Sequence, residues 1–342
     1  MNKSLGIYNI FDNKGINRSI ENVLKGNINF NTYTTPKGLK ELRIEISKFL
    51  YKIWNYEVDY NNMLISTGTQ QSINIISSSL INDGDVVLIE QPTYFGAIDV
   101  FKKRNIKLVG IDLQEDGLDL VELERKIIKY SPKLIYVVPT FNNPTGYSWS
   151  NKNRKEFLKI INKYNILVLE DDPYSLINFT KSKYKSLYNL NKGRNIIYLG
   201  TFSKLISPSV NVGYILSDKV DLLYLYKKSF DLCTNAFSQY VVLDYLRNND
   251  LNEVIKCKTK TYKTLLKKSI KKLNSNYKNR IEYYSIPKGG LFYLVKFKDN
   301  ISEDEFEDGS NYFISRKANK VTRINICKRT VFHLYFLYLI NL

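Results

Sequence analysis

The chain has 342 residues, with 51 Lys and Arg against 33 Asp and Glu, a single His and a formal net charge of +18. At 44% hydrophobic and 25% charged it has a globular composition, long enough for one large core or two linked domains. His333 is the only imidazole, which excludes zinc sites built on several His and leaves a catalytic triad one candidate base. No metal site is expected, and proton chemistry near pH 7 would have to use a tuned Lys, carboxylate or Tyr.

The positive charge is dispersed through Asn-, Ile- and Tyr-rich sequence rather than gathered into a footprint, so no nucleic-acid role is expected. Its densest run, KKSIKKLNSNYKNR (267–280), reads as the solvated face of a helix followed by a turn. Cys233, Cys257 and Cys327 form no CxxC pair, which fits a reducing compartment. The start of the chain has no signal-like apolar core, and the apolar tail Val331–Leu342 is too short to cross a bilayer. A soluble, cytoplasmic protein with no membrane partner is expected.

In chain order, residues 1–38 read as a polar, irregular arm ending in a Pro-Gly turn. LKELRIEISKFLYKIW has helical period, MLIS (63–66) is a short apolar strand, and TGTQQSINIISSSLI opens a second helix. VVLIEQ (86–91) is a strand, followed by a helix from Tyr94, the strand KLVGIDL, a helix near 118–130 and the strand LIYVVP (134–139). A helix over 152–163 precedes the strands ILVLEDD (166–172) and NIIYLGTF (195–202). Continuous apolar runs between amphipathic helices predict an α/β domain over 39–235, its mostly parallel sheet covered on both faces. Residues 236–342 read as a smaller α+β domain, with helices and then the strand-like YYSIPKGGLFYLVKF and TRINIC.

Ligands of such sheets bind at the carboxyl ends of the strands. After MLIS comes Thr67-Gly68-Thr69-Gln70-Gln71, whose backbone N–H groups and Thr69 hydroxyl suit a phosphate, although an ordinary capped loop has the same look. After VVLIEQ comes Pro92-Thr93-Tyr94, and after LIYVVP the turn Asn142-Asn143-Pro144-Thr145-Gly146. After ILVL come three acids and an aromatic, Glu170-Asp171-Asp172-Pro173-Tyr174, costly to bury together without a cation. After NIIYLG comes Thr201-Phe202-Ser203-Lys204. Each loop alone is ordinary polarity; all five at successive strand ends form a pattern.

That pattern resembles the fold-type I, pyridoxal 5′-phosphate (PLP)-dependent class I/II aminotransferases. It is nearest the branch of 2-aminoadipate and aromatic aminotransferases and the aminotransferase-like half of MocR-type regulators. The resemblance runs from about Tyr33 to Arg323 and is carried by NNPTG, EDDPY and GTFSK, with Lys204 following Asp171 by 33 residues. It implies a mostly parallel seven-stranded sheet between helices, a smaller α+β domain, and PLP held by Lys204 as a Schiff base. It further implies Asp171 at the pyridine nitrogen, Asn143 and Tyr174 at the phenolic oxygen and Tyr94 stacked on the ring. Gly68, Thr69, Gln70, Thr201 and Ser203 would surround the phosphate, with Tyr33 reaching it in the partner of a homodimer. Arg323 would take the carboxylate of an amino-acid or 2-oxo-acid substrate.

Two departures stand out. The segment Pro208-Ser209-Val210-Asn211-Val212-Gly213-Tyr214 has Asn211 where the family has an Arg for the phosphate. The segment between Gly290 and Arg323 is short, and VFHLYFLYLINL replaces the usual final helix. No winged-helix segment precedes the pattern, which disfavours a DNA-binding regulator. Transamination is the leading expectation; the alternatives are a β-lyase, decarboxylase or racemase on the same scaffold, or a degenerate non-catalytic relative.

Overall fold

Side chains alternating along a strand reach opposite faces, so a sheet covered on both sides needs apolar residues at every position. The computed structural model, which describes residues 13–26, 28–298 and 331–335 (the last as backbone), is built on this rule. In chain order it contains α1 (Asn13–Lys25), α2 (Lys40–Trp54), β1 (Met63–Ser66), α3 (Gly68–Leu80), β2 (Val86–Gln91), α4 (Phe95–Lys103), β3 (Lys107–Gln114) and β4 (Gly117–Leu118). Next come α5 (Leu120–Tyr130), β5 (Leu134–Val137), α6 (Asn151–Tyr164), β6 (Leu167–Asp171), α7 (Leu187–Leu190), β7 (Ile196–Thr201) and β8 (Gly213–Leu216). The chain continues through α8 (Val220–Asp231), α9 (Ala236–Asn248), α10 (Leu251–Tyr277), β9 (Ile281–Tyr284), β10 (Phe292–Phe297) and β11 (Val331–Tyr335).

The large sheet runs β1-β8-β7-β6-β5-β2-β3-β4. Strands β3, β2, β5, β6 and β7 are parallel neighbours, whereas β8 runs antiparallel to both β1 and β7. The alternation is visible along β1: Met63 and Ile65 join the core on one face, Leu64 the core on the other. Seven full strands match the expected count, and the two-residue β4, folded back on Leu113 and Gln114, makes eight. The antiparallel β8 has no expectation behind it, because GYIL follows too closely on the loop after β7 to stand out as a separate run.

One expectation is corrected. Residues 13–25 lie inside the arm read as irregular, yet they form α1. Ile16, Ile20 and Val23 recur at helical spacing and pack on the main core, with Val23 buried and α9 alongside. Two or three apolar residues among Asn, Lys and Glu are too dilute a stripe to read without the helix they pack against. Buried residues of α9, among them Val241, Val242 and Tyr245, belong to that same core.

A separate core joins α10 to the three-stranded sheet β11-β10-β9 through Tyr262, Leu266, Tyr293 and Val295, and extends to Phe141 and Tyr174 beside the large sheet. Val331–Tyr335, the start of the apolar tail, pairs with Phe292–Lys296, opposing His333 to Leu294. Among the described residues no helix is long and apolar enough to cross a membrane.

Candidate active site

Parallel β2, β5, β6 and β7, together with β1, end along one edge of the sheet, and β8 begins there. Ser66 and Thr201, near or at the ends of β1 and β7, both pair with Gly213. This register draws three loops together: the one opening α3, the one carrying Lys204 and the one carrying Asn211.

Helix α3 starts at Gly68 (φ +76°), and its cap residue Thr67 makes no side-chain hydrogen bond to the first turn. Its leading N–H groups therefore have no side-chain acceptor and suit an anion. Asn211 sits opposite in the left-handed region (φ +46°), which Asn tolerates better than most residues. An added Cβ at Gly68 would lie 2.8 Å from Asn211 Oδ1. Thr201 Oγ1 accepts from the Ser203 backbone at 3.1 Å and lies 3.2 Å from Ser203 Oγ. The Gln70 side chain is engaged elsewhere: it donates to the Gly96 carbonyl at 3.0 Å and accepts from the Tyr94 hydroxyl at 3.1 Å. That leaves Gln70 only its backbone for a phosphate and ties the Tyr94 ring to the start of α3.

The three acids after β6 divide by partner. Glu170 accepts from the backbone N–H groups of Leu187 and Tyr188 at 2.8 and 2.9 Å. Asp172 accepts from Tyr198 Oη at 2.9 Å and from the Ser175 backbone at 3.0 Å. Both acids also act electrostatically on the fully buried Arg154. Asp171 differs. Tyr136 Oη donates to its Oδ2 at 2.8 Å, and its Oδ1 is buried with no hydrogen-bond partner. Burial pushes its carboxyl up to about 7 against the pull of Tyr136, Asp172 adds to the rise, and no cation among the described residues offsets it. A buried carboxylate with one free oxygen and no counter-charge fits a cationic N–H donor of a ligand.

Around Asp171 stand two of the expected aromatics. Its charge raises the phenol pKa of both Tyr94 and Tyr174, second in each case to burial, and the nearby Asn143 side chain pulls that of Tyr174 back down. Lys204 follows β7, and burial alone lowers its pKa. A depressed pKa enlarges the neutral fraction of the amine, the form that attacks a carbonyl and accepts a proton. Tyr33, between α1 and α2, is 84% exposed. Arg323 lies outside the described residues.

Sequence reading missed two residues that hold the site in shape. Glu90, buried on β2, accepts from the Val138 backbone at 2.8 Å, Asn142 Nδ2 at 2.9 Å and Trp149 Nε1 at 2.9 Å, and so fixes the loop that carries Asn143. Tyr136 on β5 is the other, through its bond to Asp171. The signal for Glu90 was available: it is the one charge in an otherwise apolar strand run. Tyr136 gives no such signal, because a Tyr within LIYVVP reads as core.

A family model described as "Aminotransferase class I and II" matches residues 6–328. The chain belongs to the class I and II aminotransferases. It is 27% identical over 311 residues to aromatic-amino-acid aminotransferase 1 of Thermococcus litoralis, covering 86% of this chain and 74% of that one. It is also 27% identical over 277 residues to the 2-aminoadipate transaminase of Thermus thermophilus, covering 80% and 68%. A crystal structure of the kynurenine aminotransferase of Pyrococcus horikoshii, solved with PMP, superimposes with a TM-score of 0.85 at 28% identity over 97% of this chain and 84% of that one. Membership makes the protein a PLP-dependent enzyme exchanging amino groups between amino acids and 2-oxo acids. The residues present fit that cofactor: an uncapped helix start for a phosphate, an unpartnered buried carboxylate for a protonated ring nitrogen, and a lysine whose charge burial disfavours.

Proposed function

We propose that transamination in this protein runs through Lys204, with Asp171 as the counter-charge of the cofactor ring. The observation carrying this reading is the free Oδ1 of buried Asp171, on the strand next to the one that leads into Lys204. PLP, when bound, supplies a protonated ring that accepts the electron pair released as a substrate loses its α-proton. The chain's own residues do the rest. Asp171 accepts the ring N–H and stabilises its charge. Asn143 and Tyr174, which lie near one another, donate to the phenolic oxygen, and Tyr94 covers one ring face. The first N–H groups of α3 (Gly68, Thr69, Gln70), the hydroxyls of Thr201 and Ser203 and the neutral amide of Asn211 hold the phosphate. The Lys204 amine, neutral more readily than a solvated lysine, would take the α-proton and later give it up again, so both transfers use one base and no imidazole.

Arg323 takes the substrate carboxylate on this reading. The protein is a cytoplasmic homodimer in which exposed Tyr33 reaches the partner's phosphate site, joined through exposed apolar residues such as Phe95, Leu225 and Phe230. The large PLP-binding unit is built on 39–235 and takes in α1 and α9, whose apolar faces share its core, leaving α10 and the three-stranded sheet as the smaller unit.

Borohydride reduction of the PLP-loaded protein, followed by peptide mapping, tests this assignment. The label is expected on the peptide containing Lys204 and absent in Lys204→Ala; a label on another lysine overturns it.

A further inference from the structure

Tyr136 is fully buried, and its hydroxyl donates to Asp171 Oδ2 at 2.8 Å. The two residues stand on adjacent parallel strands, where Tyr136 pairs with Leu169, and Asp171 follows Leu169 by two residues on the same face of the sheet. The Tyr136 ring is held edge-on by Phe101, with centroids 6.0 Å apart. Burial and the neighbouring carboxylate keep the phenol protonated far above its ordinary range, so the group is a donor at every working pH. The result is a carboxylate with one oxygen committed and the other open.

We infer that Tyr136 is a positioning residue for the cofactor: it anchors Asp171 through Oδ2 and thereby leaves Oδ1 as the acceptor for the ring nitrogen. A carboxylate with two free oxygens could rotate and would be harder to keep ionised in this apolar surround. One neutral donor restrains the rotation and favours the charged form without supplying a cation that would compete with the ring. The inference rests on the assignment of Asp171 made above.

The test compares PLP with 1-deazapyridoxal 5′-phosphate, which has a C–H in place of the ring nitrogen. Both are titrated into the full chain freed of cofactor, with dissociation constants read by fluorescence. The unaltered chain is expected to favour PLP, and Tyr136→Phe to lower that preference about ten-fold or more, as expected for loss of a hydrogen bond to a charged group. Asp171→Asn should lower it at least as far. A preference unchanged in Tyr136→Phe but lost in Asp171→Asn overturns the role of Tyr136 alone, as does equal weakening of both ligands, the mark of a purely structural residue. A preference unchanged in Asp171→Asn overturns the Asp171 assignment and this inference with it.

If Tyr136→Phe does not fold, 3-fluorotyrosine placed at position 136 keeps the hydroxyl and serves as a fluorine NMR probe. Its resonance is expected to move more on adding PLP than on adding the deaza analogue, and to lose that difference in Asp171→Asn. Identical shifts with both ligands overturn the inference.

Discussion

Gly68 and Asn211 are packed so closely that a Cβ on the glycine would lie 2.8 Å from the Asn211 amide oxygen. The glycine also holds φ +76°, a conformation that costs residues with a Cβ about 1–2 kcal/mol. Gly68→Ala is therefore expected to lower stability by about 1–2 kcal/mol and to weaken PLP binding by disturbing the first turn of α3. Combining it with Asn211→Gly removes the collision but not the backbone strain. Thermal unfolding of both variants checks whether part of the loss is recovered.

Asn211 places a neutral side chain opposite the start of α3. Asn211→Arg is expected to tighten PLP binding about ten-fold, since a charged hydrogen bond contributes roughly 1.5–3 kcal/mol. Arg is less comfortable than Asn at φ +46°, so the same variant is expected to lose about 1 kcal/mol of folding stability. Titrations at low and high salt check the origin of the effect: the added affinity should shrink with ionic strength.

Asp171 predicts how stability depends on pH. In the cofactor-free chain its carboxyl is raised from 3.8 to about 7, so between those values the folded chain holds a proton that the unfolded chain has released. Its contribution to stability therefore falls as pH rises through that window, by a few kcal/mol in all. Asp171→Asn removes this part of the slope and is expected to make the cofactor-free chain more stable than the parent at pH 8, while binding PLP more weakly. Denaturant melts at pH 5 and pH 8 measure the difference. Glu90 and Glu170, both raised from 4.5 to about 7, retain their own slopes in the same direction.

Arg154 holds the base of the site together. Its guanidinium donates to the Pro139 carbonyl and to Thr140 Oγ1, each at 2.8 Å, and it is the buried cation for Glu170 and Asp172. Removing the guanidinium leaves these buried acceptors unpaired, at a cost of about 1–3 kcal/mol for each group left unsatisfied. Arg154→Met is expected to destabilise the protein on that scale, and chemical unfolding reads it directly.

What could be read from the sequence follows from where chemistry is concentrated. Lys204, Asp171 and Asn143 sit at the ends of apolar runs, where a polar residue is conspicuous, and strand order then brings them to one edge. Arg154 is the opposite case: it lies in NKNRKEF, a polar stretch that reads as a solvated helix face, and only the packing of α6 against the loop after β5 shows it to be buried. Tyr136 stayed hidden because its partner is two residues beyond its register mate on a neighbouring strand, a relation that sequence order does not encode. Helix α1 stayed hidden because its apolar stripe is completed by α9, more than 200 residues later.

The central claim is that Lys204 carries both the cofactor and the proton. Single-turnover mixing of PLP-loaded protein with a panel of amino-acid donors, aromatic amino acids and 2-aminoadipate included, tests it most directly. With an accepted donor, the visible absorbance of the lysine-bound cofactor should decay as one equivalent of 2-oxo acid appears. Lys204→Ala should lack that absorbance and form the 2-oxo acid at least about a thousand-fold more slowly, on the scale of losing a base that acts in two steps. Formation of 2-oxo acid by Lys204→Ala at the parent rate would contradict the account.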